Sequence, residues 1–144
     1  MANILVEDLG TFDNALPWMQ AIMDAVEQNQ VKVRVIVENA NSNGIENRVA
    51  IQVLTDELEK RGLEDFVEIL FFKERVHAKT ALIDQELYVV GSQNFHYSSW
   101  GEQGLNEYGV ATDDPEAIAL YQKMFDYFWE QAISVDEADW ATTK

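Results

Sequence analysis

Cysteine is absent from this chain of 144 residues, and it contains only two histidines and two prolines. The lack of cysteine excludes disulfides, thiolate nucleophiles and thiolate metal sites. There is also no apolar run of 18 or more residues and no signal-peptide pattern. We therefore expect the chain as it stands to be soluble, although neither absence fixes its cellular compartment.

Positive charge is scarce as well. Ten Lys and Arg stand against 26 Asp and Glu, which gives a formal net charge of −16 and a pI near 4.2. Such a surface repels phosphate backbones and anionic lipid, but it leaves room for a local positive pocket. Any cation beside an apolar strand is therefore informative. Lys32 and Arg34 alternate along such a strand, where we expect both to be solvated.

The length fits one domain with a hydrophobic core. Apolar periodicity predicts strands at 2–8, 31–39, 66–72, 76–94 (a hairpin) and 106–112, and helices at 14–29, 45–62 and 113–134. This order predicts an α/β fold with a mixed β-sheet flanked by helices on both faces. We expect one domain over residues 1–135, followed by a frayed acidic tail over 136–144.

Local signals give the limits of two helices. Gly62 should end the second helix, and Asp113 or Asp114 should cap the third, with Pro115 in its first turn. The expected apolar stripe of the second helix is Val49, Ile51, Val53, Leu54 and Leu58. The preceding segment 39–44, NANSNG, is a loop by composition and could be an ordinary turn or part of a binding site.

The segment VHAKTALIDQELYVVGSQNF, residues 76–95, predicts two strands joined at Asp84. A two-residue loop and a four-residue loop both fit, and both give the same register. In that register His77 faces Asn94 and Lys79 faces Ser92, and all four lie on one face. The prediction is a polar cluster at the open end of a hairpin.

That cluster has the chemistry of a phosphate site. Lys79 supplies a cation, Ser92 and Asn94 supply hydrogen-bond donors, and Gly91 allows a ligand or another backbone to come close. His77 supplies an imidazole, which can act as a nucleophile or a base. Together they could stabilise a five-coordinate phosphorus with Lys79 supplying the charge that a metal would otherwise provide. Taken singly, a strand histidine is more often structural and a lysine at a strand end is more often solvated.

The spacing His77-x-Lys79-x4-Asp84-x6-Gly91-Ser92-x-Asn94 resembles the HKD motif of the phospholipase D superfamily. The likeness extends from Val31 to the end of the last helix and is similar to the second half of two-motif, cardiolipin synthase-like chains. It implies a metal-independent and cofactor-free phosphodiesterase or phosphatidyltransferase that acts through a phosphohistidine.

The resemblance also implies a role for each motif residue. His77 would be the nucleophile, or the general acid in a partner half-site. Lys79, Ser92 and Asn94 would bind the phosphate, with Gly91 beside them.

Asp84 and Glu107 complete the set of candidate catalytic residues. The resemblance implies that Asp84 stabilises the hairpin, and that Glu107 hydrogen-bonds the catalytic histidine. Such a carboxylate would fix the tautomer of His77 and raise its basicity. Without the resemblance, Glu107 would be interpreted as a solvated strand residue.

The family's active site uses two motifs, whereas this chain carries one, because His96 has no lysine two residues later. Either two copies pair across a two-fold axis, or the chain is half of a longer protein, which we favour. His96, Tyr97 and Trp100 could line a cleft, although aromatic packing is the simpler expectation. The alternatives are a nuclease of the same superfamily, disfavoured by the charge of −16, and a non-catalytic half that completes a fold or an assembly.

Overall fold

The computed structural model describes residues 1–6, 17–39, 43–93 and 106–137. Its strands are β1 (Ala2–Val6), β2 (Val33–Glu38), β3 (Val67–Phe72), β4 (Lys79–Ile83), β5 (Leu87–Gly91) and β6 (Gly109–Thr112). Its helices are α1 (Pro17–Asn29), α2 (Asn43–Arg61) and α3 (Pro115–Gln131), with a short 3₁₀ turn at Glu64–Phe66. Most of the predicted acidic tail, from 138 onward, lies outside the described residues.

The strands form one six-stranded sheet in the order β3-β2-β1-β4-β5-β6. β1, β2 and β3 are parallel, whereas β4, β5 and β6 are each antiparallel to the strand before them in this order. The registers place Val6 beside Lys79, and Gly91 beside Gly109. Hence the carboxyl ends of β1, β2, β3 and β5 meet the start of β4 and the start of β6 along one edge, here called the site edge.

Each face of the sheet packs against its own helices. On one face, α1 and α2 contribute Met23, Val26, Ala50, Ile51, Leu54 and Leu58 to a buried cluster with the strands. On the other face, α3 contributes Ile118, Tyr121 and Phe125 to a second cluster. The predicted α/β fold, a mixed sheet with helices on both faces, is therefore confirmed.

The predicted end of α2 and the predicted start of α3 are confirmed as well. Gly62 has φ +68°, its N–H donates to the Glu59 carbonyl at 3.0 Å, and the Leu63 N–H donates to the Leu58 carbonyl at 2.9 Å. This is a Schellman motif, which a glycine in the left-handed region favours. At the start of α3, the Asp114 carboxylate accepts the Ala117 N–H at 2.8 Å.

The apolar stripe of α2 differs from the prediction at one position. Val49 is 53% exposed, whereas the neighbouring Ala50 is fully buried. Ala50, Leu54 and Leu58 follow each other at four-residue spacing, so they share a helix face that Val49 does not. The helix also begins at Asn43, inside the segment predicted as a loop, and residues 40–42 lie outside the described residues.

Arg34 is not solvated, contrary to the prediction. Its side chain is 23% exposed, and its guanidinium lies over the rings of Phe125 and Trp129, at 5.0 and 5.2 Å from their centres. It also reaches Asp126 at 3.4 Å. A guanidinium can stack on aromatic rings and pair with a carboxylate at once, so it packs under α3. Lys32 is exposed, as predicted.

The hairpin register is shifted by one residue from the prediction. Ile83 pairs with Leu87, so the loop has three residues rather than two or four. Asp84 and Gln85 take φ of +52° and +58°, and the Glu86 N–H closes the turn onto the Ile83 carbonyl at 3.0 Å. Neither alternative allowed for an odd loop, which changes which residues oppose each other.

Candidate active site

The segment that carries His77 crosses the site edge. Residues 73–78 join β3 to β4 without regular secondary structure, and β2 and β1 lie between those two strands in the sheet. The connection therefore passes the carboxyl ends of β2 and β1. In an α/β sheet, this is the edge at which binding sites gather.

His77 and Lys79 are in direct contact. The Nζ of Lys79 lies 3.1 Å from Nδ1 of His77, and it donates to the His77 carbonyl at 3.2 Å. Lys79 is only 7% exposed, whereas His77 is exposed. An ammonium group can only donate, so Nδ1 accepts in this arrangement. The predicted proximity of these two side chains is therefore present in the structure.

Ser92 contacts Glu107 rather than facing Lys79. The observed register, continued, places Lys79 opposite Gly91, so the predicted pairing of Lys79 with Ser92 is wrong. β5 ends at Gly91 and the chain bends at Ser92. The Ser92 Oγ donates to the Glu107 carboxylate and accepts the Tyr108 N–H at 3.1 Å.

The contact with Glu107 uses the single proton of the Ser92 hydroxyl. In this arrangement Ser92 holds Glu107, whereas the predicted donation of that proton to a phosphate would require the contact to break. Asn94, the other predicted amide donor, lies outside the described residues, and so do His96, Tyr97 and Trp100. Their predicted roles stay predictions.

Gly91 allows the close approach of another backbone. A Cβ at this position would lie 2.8 Å from the Tyr108 carbonyl oxygen and 3.2 Å from the Gly109 Cα. Real Cβ atoms do not come this close, so only glycine lets β5 and β6 meet here. Gly91 was predicted to allow either a ligand or another backbone to come close, and in the structure the backbone of β6 does so.

Asp84 lies at the other end of β4 from Lys79. Its side chain is 65% exposed, and its carboxylate accepts from the Met1 amino group at 2.7 Å. Its own N–H donates to the Met1 carbonyl at 2.8 Å. This position agrees with a supporting role at the hairpin turn, and it separates Asp84 from the other candidate catalytic residues.

Three buried polar residues lie near the site edge. The sequence alone did not single out Glu38 and Asn47, whereas Asn39 opens the segment 39–44 that was predicted as a turn or part of a binding site. Glu38 and Asn39, at the end of β2, are 3% and 6% exposed, and Asn47 in α2 is fully buried. The Glu38 carboxylate accepts the Val76 N–H at 2.6 Å, and its carbonyl accepts from the Asn47 side chain at 3.0 Å. For Glu38 and Asn39 the available signal was position, since VIVEN puts two polar residues at the end of an apolar strand.

Neither a metal-binding cluster nor a membrane-spanning helix is found in the described ranges. No three or more His, Cys, Asp or Glu side chains there lie close enough together to hold a metal ion. Within the same ranges, no helix has both the length and the apolar character needed to cross a membrane.

The fold is similar to that of several solved structures. NucT from Helicobacter pylori has a TM-score of 0.64 at 16% identity, over 92% of this chain and 80% of that one. The phospholipase D family member Nuc from Salmonella typhimurium has a TM-score of 0.61 at 16% identity, over 91% and 78%. Phosphatidylserine synthase from Haemophilus influenzae Rd KW20 has a TM-score of 0.64 at 14% identity, over 90% of this chain and 32% of that one.

Identities this low establish the fold alone. No curated protein sequence shows significant similarity to this chain. The family described as "Cardiolipin synthase, PLD-like domain", however, matches residues 10–129, which is most of the chain and includes His77 and Lys79. This protein therefore belongs to the phospholipase D superfamily.

Proposed function

We propose that this chain supplies one half of a phospholipase D-like active site that cleaves or transfers phosphodiesters, with His77 as the nucleophile. The observation that carries the proposal is the contact between the exposed His77 imidazole and the buried Lys79 ammonium, 3.1 Å apart at the site edge. A nucleophile and a fixed cation within one phosphate's width match the needs of attack at phosphorus.

Lys79 provides the positive charge. Because it is 7% exposed, the field of its ammonium is screened less than that of a surface lysine. The chain has a net charge of −16, so anions are attracted only where such a cation dominates locally. A bound phosphodiester would accept hydrogen bonds from Lys79 and draw its ammonium away from the imidazole.

That displacement prepares His77 for attack. While Lys79 donates to Nδ1, the proton of a neutral imidazole sits on Nε2. Attack by Nε2 needs the proton on Nδ1 instead, held by an acceptor. We assign that role to Glu107, whose carboxylate Ser92 holds in place.

One histidine cannot complete the reaction on an ordinary substrate. The leaving alcohol needs a proton while His77 attacks, so a second acid is required. A second motif would supply it, either from another copy of the chain or from the rest of a longer protein. In a symmetric pair the two copies of His77 would meet near the axis, one to attack and the other to protonate the leaving group.

A phospholipid is the favoured substrate. The family description names cardiolipin synthase, and one similar structure is a phosphatidylserine synthase, so related folds are named for lipid chemistry. The net charge of −16 disfavours a nucleic acid, whose binding depends on basic surface, and it equally disfavours a strongly anionic lipid surface.

The test compares substrates and His77→Asn. We expect the protein, or the longer chain that contains it, to act on phospholipid vesicles but not on duplex DNA, with activity retained in EDTA. His77→Asn should keep the fold and abolish turnover, because an amide cannot attack phosphorus. Faster cleavage of DNA would favour the nuclease alternative. Loss of activity on chelation, restored by Mg²⁺, would overturn the mechanism.

Mixing wild-type chain with His77→Asn tests the pairing. If two copies form one site, mixed pairs are inactive, so activity should fall more steeply than the wild-type fraction. A fall in simple proportion would mean that each chain works alone. For an inactive monomer, the same mixing belongs to the longer chain that supplies the second motif.

A further inference from the structure

We infer that Glu38 is a positioning residue for His77. This inference rests on the proposed function, since it concerns the nucleophile of that site. Glu38 is the last residue of β2, and β1 lies between β2 and β4 in the sheet. The proposed mechanism gives Glu38 no role. Its carboxylate is nonetheless buried, at 3% exposure, beside the segment that carries His77.

The crossing segment explains why His77 needs support. From β3 to β4 the chain must pass two intervening strands, a distance of about 14 Å at the usual strand spacing. Residues 73–78 make this crossing with no sheet or helix hydrogen bonds of their own. A segment of six residues reaches about 20 Å when extended, so the crossing alone does not fix where His77 lies.

Glu38 fixes the backbone immediately before His77. Its Oε2 accepts the Val76 N–H at 2.6 Å, a short hydrogen bond. The Val76 side chain is 6% exposed and packs into the cluster beneath α3. The residue next to His77 is thus held at both its backbone and its side chain.

The other end of this link is rigid. The Glu38 carbonyl accepts from the fully buried Asn47 of α2 at 3.0 Å. The next residue, Asn39, donates its N–H to the Phe72 carbonyl of β3 at 2.9 Å. A helix and a neighbouring strand therefore hold the end of β2, and Glu38 transmits that position to the crossing segment. Nucleophile placement within about an ångström controls attack rates strongly.

Three substitutions of Glu38 separate the effect of side-chain length from the effect of charge. Glu38→Gln keeps the length and an acceptor oxygen but removes the charge, so it should retain the rate of attack within about fivefold. Glu38→Asp keeps the charge but shortens the side chain by one methylene, so it should lose the Val76 contact and slow attack at least tenfold. Glu38→Ala should match Asp if it folds. Because Lys79 still binds phosphate, KM should stay constant while kcat falls.

The rate is measured with a nitrophenyl phosphodiester, whose leaving group departs as a stable anion and needs no acid. Thr80→Val is the matched control: Thr80 is buried beside Lys79 and shares a hydrogen bond of 2.9 Å with Tyr121. It should lower stability without slowing attack. The positioning role would be overturned if Glu38→Asp and Glu38→Gln were equally slow, or if Glu38→Asp were as fast as wild type.

A second measurement stands apart from activity. With two histidines in the chain, His77→Asn assigns the imidazole signals in an NMR spectrum. Glu38→Asp should speed hydrogen exchange at the Val76 amide at least tenfold and broaden or split the His77 signals, whereas Glu38→Gln and Thr80→Val should not. Unchanged Val76 and His77 in Glu38→Asp would refute the inference. A wild-type chain that forms no phosphohistidine would refute the proposed function instead, with the NMR result still deciding the role of Glu38.

Discussion

The two ends of β4 belong to one sequence motif and have different surroundings. At its start, Lys79 is buried and touches His77 at the site edge. At its end, Asp84 is exposed in a turn and pairs with the amino group of Met1. β4 has five residues, so four steps of about 3.4 Å separate its first and last residues by about 14 Å.

The difference shows that a motif of fixed spacing is not one cluster in space. His77 and Lys79 are two residues apart where the chain enters β4, and their side chains touch. Asp84 is five residues from Lys79 and is the first residue of the turn. The spacing of the motif therefore corresponds to the length of β4 and not to a contact between the two side chains. We expect substitutions at the start of β4 to change chemistry and substitutions at its end to change only the hairpin.

The largest effect is expected at Lys79. Lys79→Met keeps the length of the side chain and removes its charge, so it should lower the rate of phosphodiester cleavage about 100- to 1,000-fold. Stability should not fall, because replacing a buried cation by an apolar group is often neutral or favourable. Kinetics and urea unfolding of the same sample test both parts. A stable variant with full activity would contradict the role of Lys79.

Gly91 offers the next largest effect, on stability as well as activity. In Gly91→Ala the new Cβ would meet the Tyr108 carbonyl at 2.8 Å, so β5 and β6 must move apart, at a cost of about 1–3 kcal/mol. That movement also shifts Ser92 and Glu107. Urea unfolding measures the loss of stability.

Gly109→Ala is the matched control, because its Cβ would meet a glutamine side chain at 3.3 Å and a backbone oxygen only at 3.7 Å. It should be tolerated. Equal losses in the two variants would mean that the contact between strands at Gly91 is not the cause.

Asp84 should tolerate change. Asp84→Asn removes the charge that pairs with Met1, but asparagine also accepts the left-handed backbone at φ +52°. We expect less than about 1 kcal/mol of lost stability, as for other exposed ion pairs, and activity within about twofold of wild type. A large loss of activity with a normal melting temperature would make Asp84 part of the chemistry and erase the contrast between the two ends.

The smallest effect is expected at Gln85. Its φ of +58° is strained for a residue with a Cβ, so Gln85→Gly should relieve strain and stabilise the hairpin by about 0.5 kcal/mol. Thermal unfolding against wild type measures it, with Glu86→Gly as the control in the same loop. Greater stabilisation from the control would contradict the assigned turn.

Sequence patterns predict the order of elements because each helix and strand follows its own periodicity and caps. The contact of His77 with Lys79 is also predictable, since a spacing of two residues needs no knowledge of the loop, although His77 precedes the first residue of β4. The register of the hairpin cannot be predicted in this way, because the length of the loop depends on whether Asp84 and Gln85 both adopt positive φ. Because the loop has three residues, the continued register places Lys79 opposite Gly91 and not opposite Ser92.

Long-range polar contacts are the other part that local patterns miss. Arg34 looks like a solvated strand residue until α3 places two aromatic rings over its guanidinium. Glu38 gains its contact with Val76 only because the chain crosses the end of β2, which is a property of the strand order. Their sequence neighbours give no sign of either partner.

The most direct test of the contrast between the two ends of β4 is the site of covalent labelling. A phosphodiester labelled on phosphorus, with a nitrophenolate leaving group, is quenched in alkali to preserve phosphohistidine, and the labelled peptide is sequenced. We predict label on His77 in the wild type and in Asp84→Asn, and none in His77→Asn or Lys79→Met at the same early time. Label that persists in His77→Asn, or disappears in Asp84→Asn, would contradict the account.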